Sequence, residues 1–434
     1  MTFKTKVLLI ILLIGLISKP IYADSLESIE LTGESAILIN SNTGQILFSK
    51  NSELPLYPAS TTKILTAIIA IEDLNLEDIV TIDSESPYAG GSHIALEVGE
   101  QLTVKDLIYG LMIASANDSA EALARFHSGT IESFAKVMNE RAASMGAVNS
   151  NFENPHGLHH DDHVTTAYDL AQISAYAMKN ETFRNIVKTL RYEIPPTNKK
   201  DETRYLNSTN SMFFGIPGSN ISIAVDGKQV PTSYDFATGI KRGYTDMARS
   251  CFVGSATFDE SRTYISVVLK TEGHLMYEDT RKMFDYAENY TKTVVLAEPG
   301  SKVDQIVINT QKETLITGLA ASRISIDLPL DLDENLIEKK IIWQPNLQLP
   351  IQENEIIGIV EYYLNAQLLL KTNLVSDAFY SGENLINEAT THLPHKSPTW
   401  VQYGIKLLIA LLLWRFIMTF INLKKIKYKK KNAI

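Results

Sequence analysis

The chain is 434 residues long, 45% apolar and 21% charged, with a formal net charge of −10 and a single cysteine, Cys251. That composition supplies more than one hydrophobic core and excludes wholesale disorder, a disulfide framework and a nucleic-acid partner recruited by net basicity. Long apolar runs occur only at the two ends, which excludes a polytopic membrane protein.

The charge is unevenly spread. Residues 1–23 carry Lys4, Lys6 and Lys19 with no acid, and residues 400–434 carry eight Lys or Arg with no acid. Removing these eleven leaves 29 basic against 50 acidic residues in the body, a balance of −21. At the N-terminus, Lys4 and Lys6 precede an apolar stretch at 7–17, and Ile21-Tyr22-Ala23 offers a cleavage site before Asp24. Residues 1–23 therefore read as a secretory signal peptide, with an uncleaved anchor as the alternative. Both take the acidic body out of the cytoplasm.

The body from 24 to 294 mixes strand and helix signals. Residues 35–48 are two short apolar runs around Asn42-Thr43-Gly44, which predicts a β-hairpin. Residues 64–74 are apolar almost all round, predicting a buried helix. Helical periods recur at 103–112, 119–127, 131–145 and 166–178, and strand signals return at 250–256 and 263–269 before a last helix near 277–290. Strands at both ends of a helical middle predict an α+β domain whose sheet joins its termini.

At Glu298-Pro299-Gly300 the texture changes to alternating apolar and polar residues, with runs at 305–309, 323–328, 340–343, 356–364 and 367–375. This predicts a small all-β domain over 295–378, followed by a polar linker at 379–400. Residues 407–423 are apolar except for Arg415 and a few weakly polar positions, and six lysines follow between 424 and 431. The segment 401–423 reads as a transmembrane or membrane-anchor helix, and 424–434 as a basic cytoplasmic tail. The membrane is thus an expected partner, whether the helix spans it or lies in its interface.

Three short motifs carry chemistry: Ser60-Thr-Thr-Lys63, Ser115-Ala-Asn117 and Lys241-Arg-Gly243. Singly each is weak, because Ser133-Phe-Ala-Lys136 also fits S-x-x-K, and Ser49-Lys-Asn51 and Ser208-Thr-Asn210 also fit S-x-N. Order and context lift the first set. Ser60 opens the apolar helix, where backbone N–H groups and the helix dipole favour developing negative charge. Lys63 lies one turn on, within reach of the hydroxyl, and burial there lowers its pKa so that a neutral amine can take the serine proton.

These motifs, in this order, resemble the S-x-x-K, S-D-N and K-T-G signature of penicillin-binding proteins and class A β-lactamases. The longer strings PASTTKILTA (58–67), LTVKDLIYGLMIASANDSAEALA (102–124), NPHGL (154–158) and GIKRGYT (239–245) resemble the low-molecular-mass D-alanyl-D-alanine carboxypeptidases of peptidase family S11. The resemblance implies a penicillin-binding-protein/β-lactamase-like transpeptidase domain, a small all-β domain and a C-terminal membrane helix. It implies that Ser60 is acylated by peptidoglycan stem peptides ending in D-Ala-D-Ala, with Lys63 as general base. By the same resemblance Ser115 relays a proton to the leaving amine, Asn117 holds the peptide amide, and Lys241 lends positive potential from an edge strand. The backbone N–H groups of Ser60 and of Tyr244, after Gly243, would form the oxyanion hole. β-Lactams would act as inhibitors on the same serine, and no cofactor is expected.

Two positions depart from the family pattern. The middle of the K-T-G triad, where a hydroxyl meets the substrate carboxylate, is Arg242. An arginine usual before the last helix is missing near Leu275-Met276-Tyr277. Arg242 can take over the carboxylate, since a guanidinium binds it in a bidentate way. The alternative is a catalytically impaired peptidoglycan- or partner-binding homologue. A class A β-lactamase is disfavoured by the expected anchor and by the lack of E-x-x-L-N between Asn117 and Lys241. Residues 214–239 read as an insertion, expected to be a surface loop or a cleft rim. His156, His159, His160, Asp161, Asp162 and His163 could suggest a metal site. His156, however, belongs to a string that is a structural loop in the family, and the others read as solvent-facing, so no metal is expected. Cys251 sits in an apolar strand run and reads as core.

Overall fold

The structure, a computed structural model, describes residues 29–381 apart from 217, 226, 260, 261 and 310–312. The expected signal peptide, membrane helix and basic tail lie outside the described residues. Among those residues, no helix is long and apolar enough to cross a membrane.

Strands β1 (Ser35–Asn40) and β2 (Ile46–Lys50) form the expected hairpin. Asn40 Oδ1 closes its turn by accepting from the N–H groups of Asn42 at 2.9 Å and Thr43 at 3.2 Å. A 3-10 turn at Ala59–Thr62 runs into α1 (Lys63–Asp73), whose residues from Lys63 to Ala70 are all buried. Strands β3 (Ile79–Thr81) and β4 (Gln101–Thr103) pair before α2 (Val104–Ile113), which a Thr103/Asp106 capping box starts. Then come α3 (Asn117–Ser128), α4 (Ile131–Ser144) and α5 (Ala167–Ala177), the last two capped by Thr130 and Thr166. Helix α6 (Glu181–Lys188) and the hairpin of β5 (Arg191–Ile194) and β6 (Arg204–Asn207) follow, outside the elements expected from periodicity. A third hairpin pairs β7 (Ser222–Val225) with β8 (Lys228–Pro231). After it follow β9 (Ala237–Thr245), β10 (Arg249–Thr257), β11 (Thr263–Thr271) and α7 (Leu275–Tyr290).

The main sheet is antiparallel with order β2-β1-β11-β10-β9, so its first and last strands meet as expected and β9 is an edge. Alternation along β1 divides the core. Ile37 and Ile39 face the helical side with α1, α2, α3 and α5, while Ala36 and Leu38 face α7 with Met276, Tyr277, Met283 and Phe284. Each of the Ile, Leu, Met and Phe side chains among them contributes roughly 1.5–3 kcal/mol on burial.

Part of the insertion packs into the core and is not a free surface loop. Ile223, Val225 and Tyr234 are buried in the α7-side core, and Tyr234 stacks on Phe284 with its ring 4.1 Å from the Arg281 guanidinium. Apolar residues inside the insertion need cover, and the face of α7 supplies it.

The β-rich region comprises β12 (Thr291–Ala297), β13 (Lys302–Asn309), β14 (Glu313–Ala320), β15 (Ile324–Pro329), β16 (Ile337–Trp343), β17 (Ile356–Leu364) and β18 (Gln367–Ser376). β12 pairs with β15, and the others form a sheet ordered β13-β14-β18-β17-β16 around a separate core that includes Ile316, Ile357, Val360 and Leu374. Asn365 and Ala366, at φ 48° and 65°, make the two-residue turn between β17 and β18. A buried polar joint ties this region to the first hairpin. The Asp327 carboxylate accepts from Asn40 Nδ2 and Thr293 Oγ1, both at 2.6 Å, and the Gln45 amide bonds both backbone groups of Asp327.

Candidate active site

Ser60 lies in the 3-10 turn, and α1 itself begins only at Lys63. Ala59, just before Ser60, has φ 48°, the left-handed region that non-glycine residues rarely adopt. The turn is held from below by residues 154–158. A Cβ on Gly157 would stand 1.8 Å from the Ala59 carbonyl oxygen, so glycine is required there. Asn154 shapes this loop. Its Oδ1 accepts from the N–H of Gly157 at 2.7 Å, and its Nδ2 donates to Leu158 O at 2.9 Å.

Lys63 is fully buried. Its Nζ lies 3.0 Å from Ser60 Oγ, 2.6 Å from Asn117 Oδ1 and 2.7 Å from the His156 carbonyl oxygen. Burial, then the nearby Lys241 charge, holds its pKa well below the ordinary lysine value, against an opposing pull from Asp118. The two carbonyl oxygens can only accept. They engage the two N–H bonds of a neutral amine and leave its lone pair to the Ser60 hydroxyl. His156 O is a contributor that no side-chain motif discloses.

Ser115 lies in the short connection between α2 and α3 at φ 60°, and Asn117 is the first residue of α3. Both are buried. Asn117 Nδ2 donates to Gly90 O at 2.8 Å, which fixes the amide with its oxygen towards Lys63. Asp118, not singled out from sequence, anchors the overlying loop. Its carboxylate accepts from the N–H groups of Ile94 and Leu96, the latter at 3.1 Å.

The opposite wall is β9. Lys241 is buried, and its Nζ donates to Ser115 Oγ and to Arg242 O, both at 2.9 Å. Burial, and secondarily Arg242, lowers its pKa to about 7. Gly243 points at the nucleophile: a Cβ there would be 2.7 Å from Ser60 N, so the close approach of β9 to the serine turn demands glycine. Arg242 is half-buried and Tyr244 exposed, on the alternate row of the strand. Among the described residues the Arg242 guanidinium has no hydrogen bond or ion pair. The structure thus brings together two hydrogen-bonded groups, Ser60–Lys63–Asn117 and Ser115–Lys241, joined through the short Ser115–Asn117 segment, with Gly243 against the Ser60 turn and Arg242 next to Lys241.

The histidine-rich stretch divides. His159, His160, Asp161 and Asp162 are exposed, but His163 is buried, correcting the solvent-facing expectation. Its Nδ1 accepts from the Glu153 N–H at 3.1 Å, leaving Nε2–H to donate to Thr62 Oγ1 at 2.9 Å, and burial pushes its pKa down to about 3. It braces the turn beside Lys63. Among the described residues no three His, Cys, Asp or Glu side chains converge as a metal site would require. Cys251 is buried in β10 with its thiol pushed up to about 12 by burial. Met276 and Tyr277 are core residues of α7, and Glu272 just before it pairs with Arg249 at 3.2 Å.

Comparison with known proteins gives the family and the fold. Residues 22–273 match the family described as D-alanyl-D-alanine carboxypeptidase (peptidase S11), and residues 292–380 match the C-terminal domain of penicillin-binding protein 5. The D-alanyl-D-alanine carboxypeptidase DacF of Bacillus subtilis is 32% identical over 80% of this chain and 86% of its own length. That of Streptomyces strain K15 is 32% identical over 57% of this chain and 84% of its own. Penicillin-binding protein 5 of Haemophilus influenzae shares the fold, with a TM-score of 0.66 over 84% of this chain and 99% of that one at 24% identity.

Proposed function

The chain belongs to the D-alanyl-D-alanine carboxypeptidases of peptidase family S11, and from that premise we propose that it removes the terminal D-Ala from peptidoglycan stem peptides through a Ser60 acyl-enzyme. The observation that carries this reading is the buried Lys63 amine, 3.0 Å from Ser60 Oγ, with two carbonyl oxygens as its other partners.

Ser60 Oγ attacks the penultimate D-Ala carbonyl as its proton passes to Lys63 Nζ. The tetrahedral oxyanion sits between the backbone N–H groups of Ser60 and Tyr244. Its collapse breaks the peptide bond, and the leaving amine takes up, relayed through the Ser115 hydroxyl, the proton that Lys63 accepted from Ser60, while Lys241 Nζ holds Ser115 by donating to its Oγ. Asn117 holds the peptide amide. Water then attacks the ester, releasing the shortened peptide and restoring the Ser60 hydroxyl. Lys241 and Arg242 supply the positive potential for the terminal carboxylate, and Gly243 gives the strand its close approach. β-Lactams acylate the same serine. An impaired homologue is disfavoured because the contacts of Ser60, Lys63 and Asn117 are complete.

In this reading residues 1–23 direct export, 24–294 form the peptidase, 295–378 the β-rich domain and 379–400 a linker. Residues 401–423 hold the enzyme on the extracytoplasmic face of the cell membrane, with 424–434 as a cytoplasmic tail. The basic, acid-free ends around an acidic body support that topology.

The test is release of free D-Ala from a peptide ending in D-Ala-D-Ala by the full-length chain in detergent. Release that is lost in Ser60→Ala supports the reading. A folded wild type that releases none contradicts it.

A further inference from the structure

A small cavity opens beside the catalytic residues, between the C-terminal ends of α2 and α6, the turn after β6 and strand β9. Ile113, Ile186, Val187 and Ile240 give it apolar walls, and Asn210 and Arg242 line it as well. It also borders Lys241, which bonds Ser115, and no acid is among its lining residues.

Asn210 is only 4% exposed. Its Oδ1 accepts from the Met212 N–H at 3.0 Å, which fixes the orientation of the amide. Its Nδ2 is buried and has no hydrogen-bond partner among the described residues. An unpaired buried donor is destabilising, and an arriving acceptor recovers that cost. The Arg242 guanidinium, on the same cavity, also has no hydrogen bond or ion pair among the described residues. Two free donors, positive potential without a counter-charge and apolar walls fit a carboxylate on a carbon bearing one small apolar group. The cavity has room for about one water-sized group, enough for a carboxylate oxygen and too little for a large side chain.

We infer that Asn210 is a specificity-determining residue: its Nδ2 and the Arg242 guanidinium together take the terminal carboxylate of the departing D-Ala. This rests on the carboxypeptidase reading above and adds to it a residue from Ser208-Thr-Asn210, a string that sequence motifs alone left as a chance match. Charge–dipole recognition at the carboxylate orients the scissile bond over Ser60, so the contact acts on peptides with a free C-terminus and not on those without one.

The test compares wild type, Asn210→Asp and Asn210→Ala in the full-length chain in detergent. Two substrates are used: a peptide ending in D-Ala-D-Ala and the same peptide with its C-terminus amidated. Asn210→Asp keeps the acceptor for the Met212 N–H and removes the donor. Loss of a hydrogen bond to a charged group predicts that kcat/KM for the free acid falls about ten- to a hundredfold, chiefly through KM. The amide should change by less than about twofold, since its lost partner carries no charge. Asn210→Ala should reproduce this collapse of the acid-over-amide preference. A preference equal to wild type in the folded variants, or equal losses on both substrates, overturns the inference and leaves the carboxypeptidase reading standing. A wild type that forms no Ser60 adduct with benzylpenicillin and releases no D-Ala overturns both.

Discussion

The two walls of the cleft differ in how far they are satisfied. On the helical wall Lys63 has all its partners in place, from Ser60, Asn117 and His156, and the turn beneath is braced by Gly157 and His163. On the strand wall Lys241 is partnered, but among the described residues the Arg242 guanidinium and Asn210 Nδ2 are not. One wall is finished for proton transfer before substrate arrives; the other keeps donors open. Preorganisation belongs where bonds are made, because partners that must reorganise add to the barrier. Open donors belong where a charged ligand docks, because the ligand completes them.

The largest effects should come from breaking the finished wall. Lys63→Met removes the base and should slow acylation by benzylpenicillin about 10²- to 10⁴-fold, measured by stopped-flow labelling. Wild-type-like acylation would show that another group takes the Ser60 proton. Gly157→Ala should follow closely, because a Cβ 1.8 Å from Ala59 O forces the serine turn to move. Labelling should fall by more than about tenfold in a protein whose melting temperature also drops.

The open wall should respond more mildly. Arg242→Ala should cost about ten- to a hundredfold in kcat/KM on peptides with a free terminal carboxylate. Arg242→Thr faster than wild type would mean that the arginine obstructs the cleft. The pH profile joins both walls. Acylation needs neutral Lys63, so kcat/KM rises with pH through the depressed pKa of that lysine. Lys241 must stay charged to attract the carboxylate, so kcat/KM falls as pH passes about 7. Arg242→Ala removes the smaller of the two causes lowering the Lys241 pKa and should move that falling limb upward modestly. An unmoved limb would assign it to another group.

The smallest catalytic effect should come from the joint between the two cores. Asp327→Ala orphans the donors of Asn40 and Thr293, costing about 1–3 kcal/mol for each. It should lower the melting temperature while leaving penicillin acylation within about twofold. A large change in acylation would couple the β-rich region to the cleft.

What the sequence made legible follows the same division. Ser60, Lys63, Ser115, Asn117 and Lys241 act through side chains at fixed spacings, so they stand out. The apolar run of α1 and the hairpin at Asn42-Thr43-Gly44 were equally plain, because burial and turn chemistry write directly into residue type. The His156 contribution is a backbone carbonyl, and any residue has one. His163 looked exposed because it ends a polar string, yet a neutral imidazole with both nitrogens bonded is stable in a core. Helix α6 offers only Phe183, Ile186 and Val187 as a buried face, too few for a periodic signal. The packing of 214–239 on α7 is a long-range contact with no local mark. Asn210 depends on what surrounds it, and its string S-x-N is shared with an unrelated site.

The most direct test of the Ser60–Lys63 centre is intact-mass analysis of the full-length chain with benzylpenicillin, followed by peptide mapping. One adduct per chain, on the peptide holding Ser60 and lost in Ser60→Ala, is the result this geometry predicts. A folded chain that stays unmodified, or carries the adduct elsewhere, would contradict it.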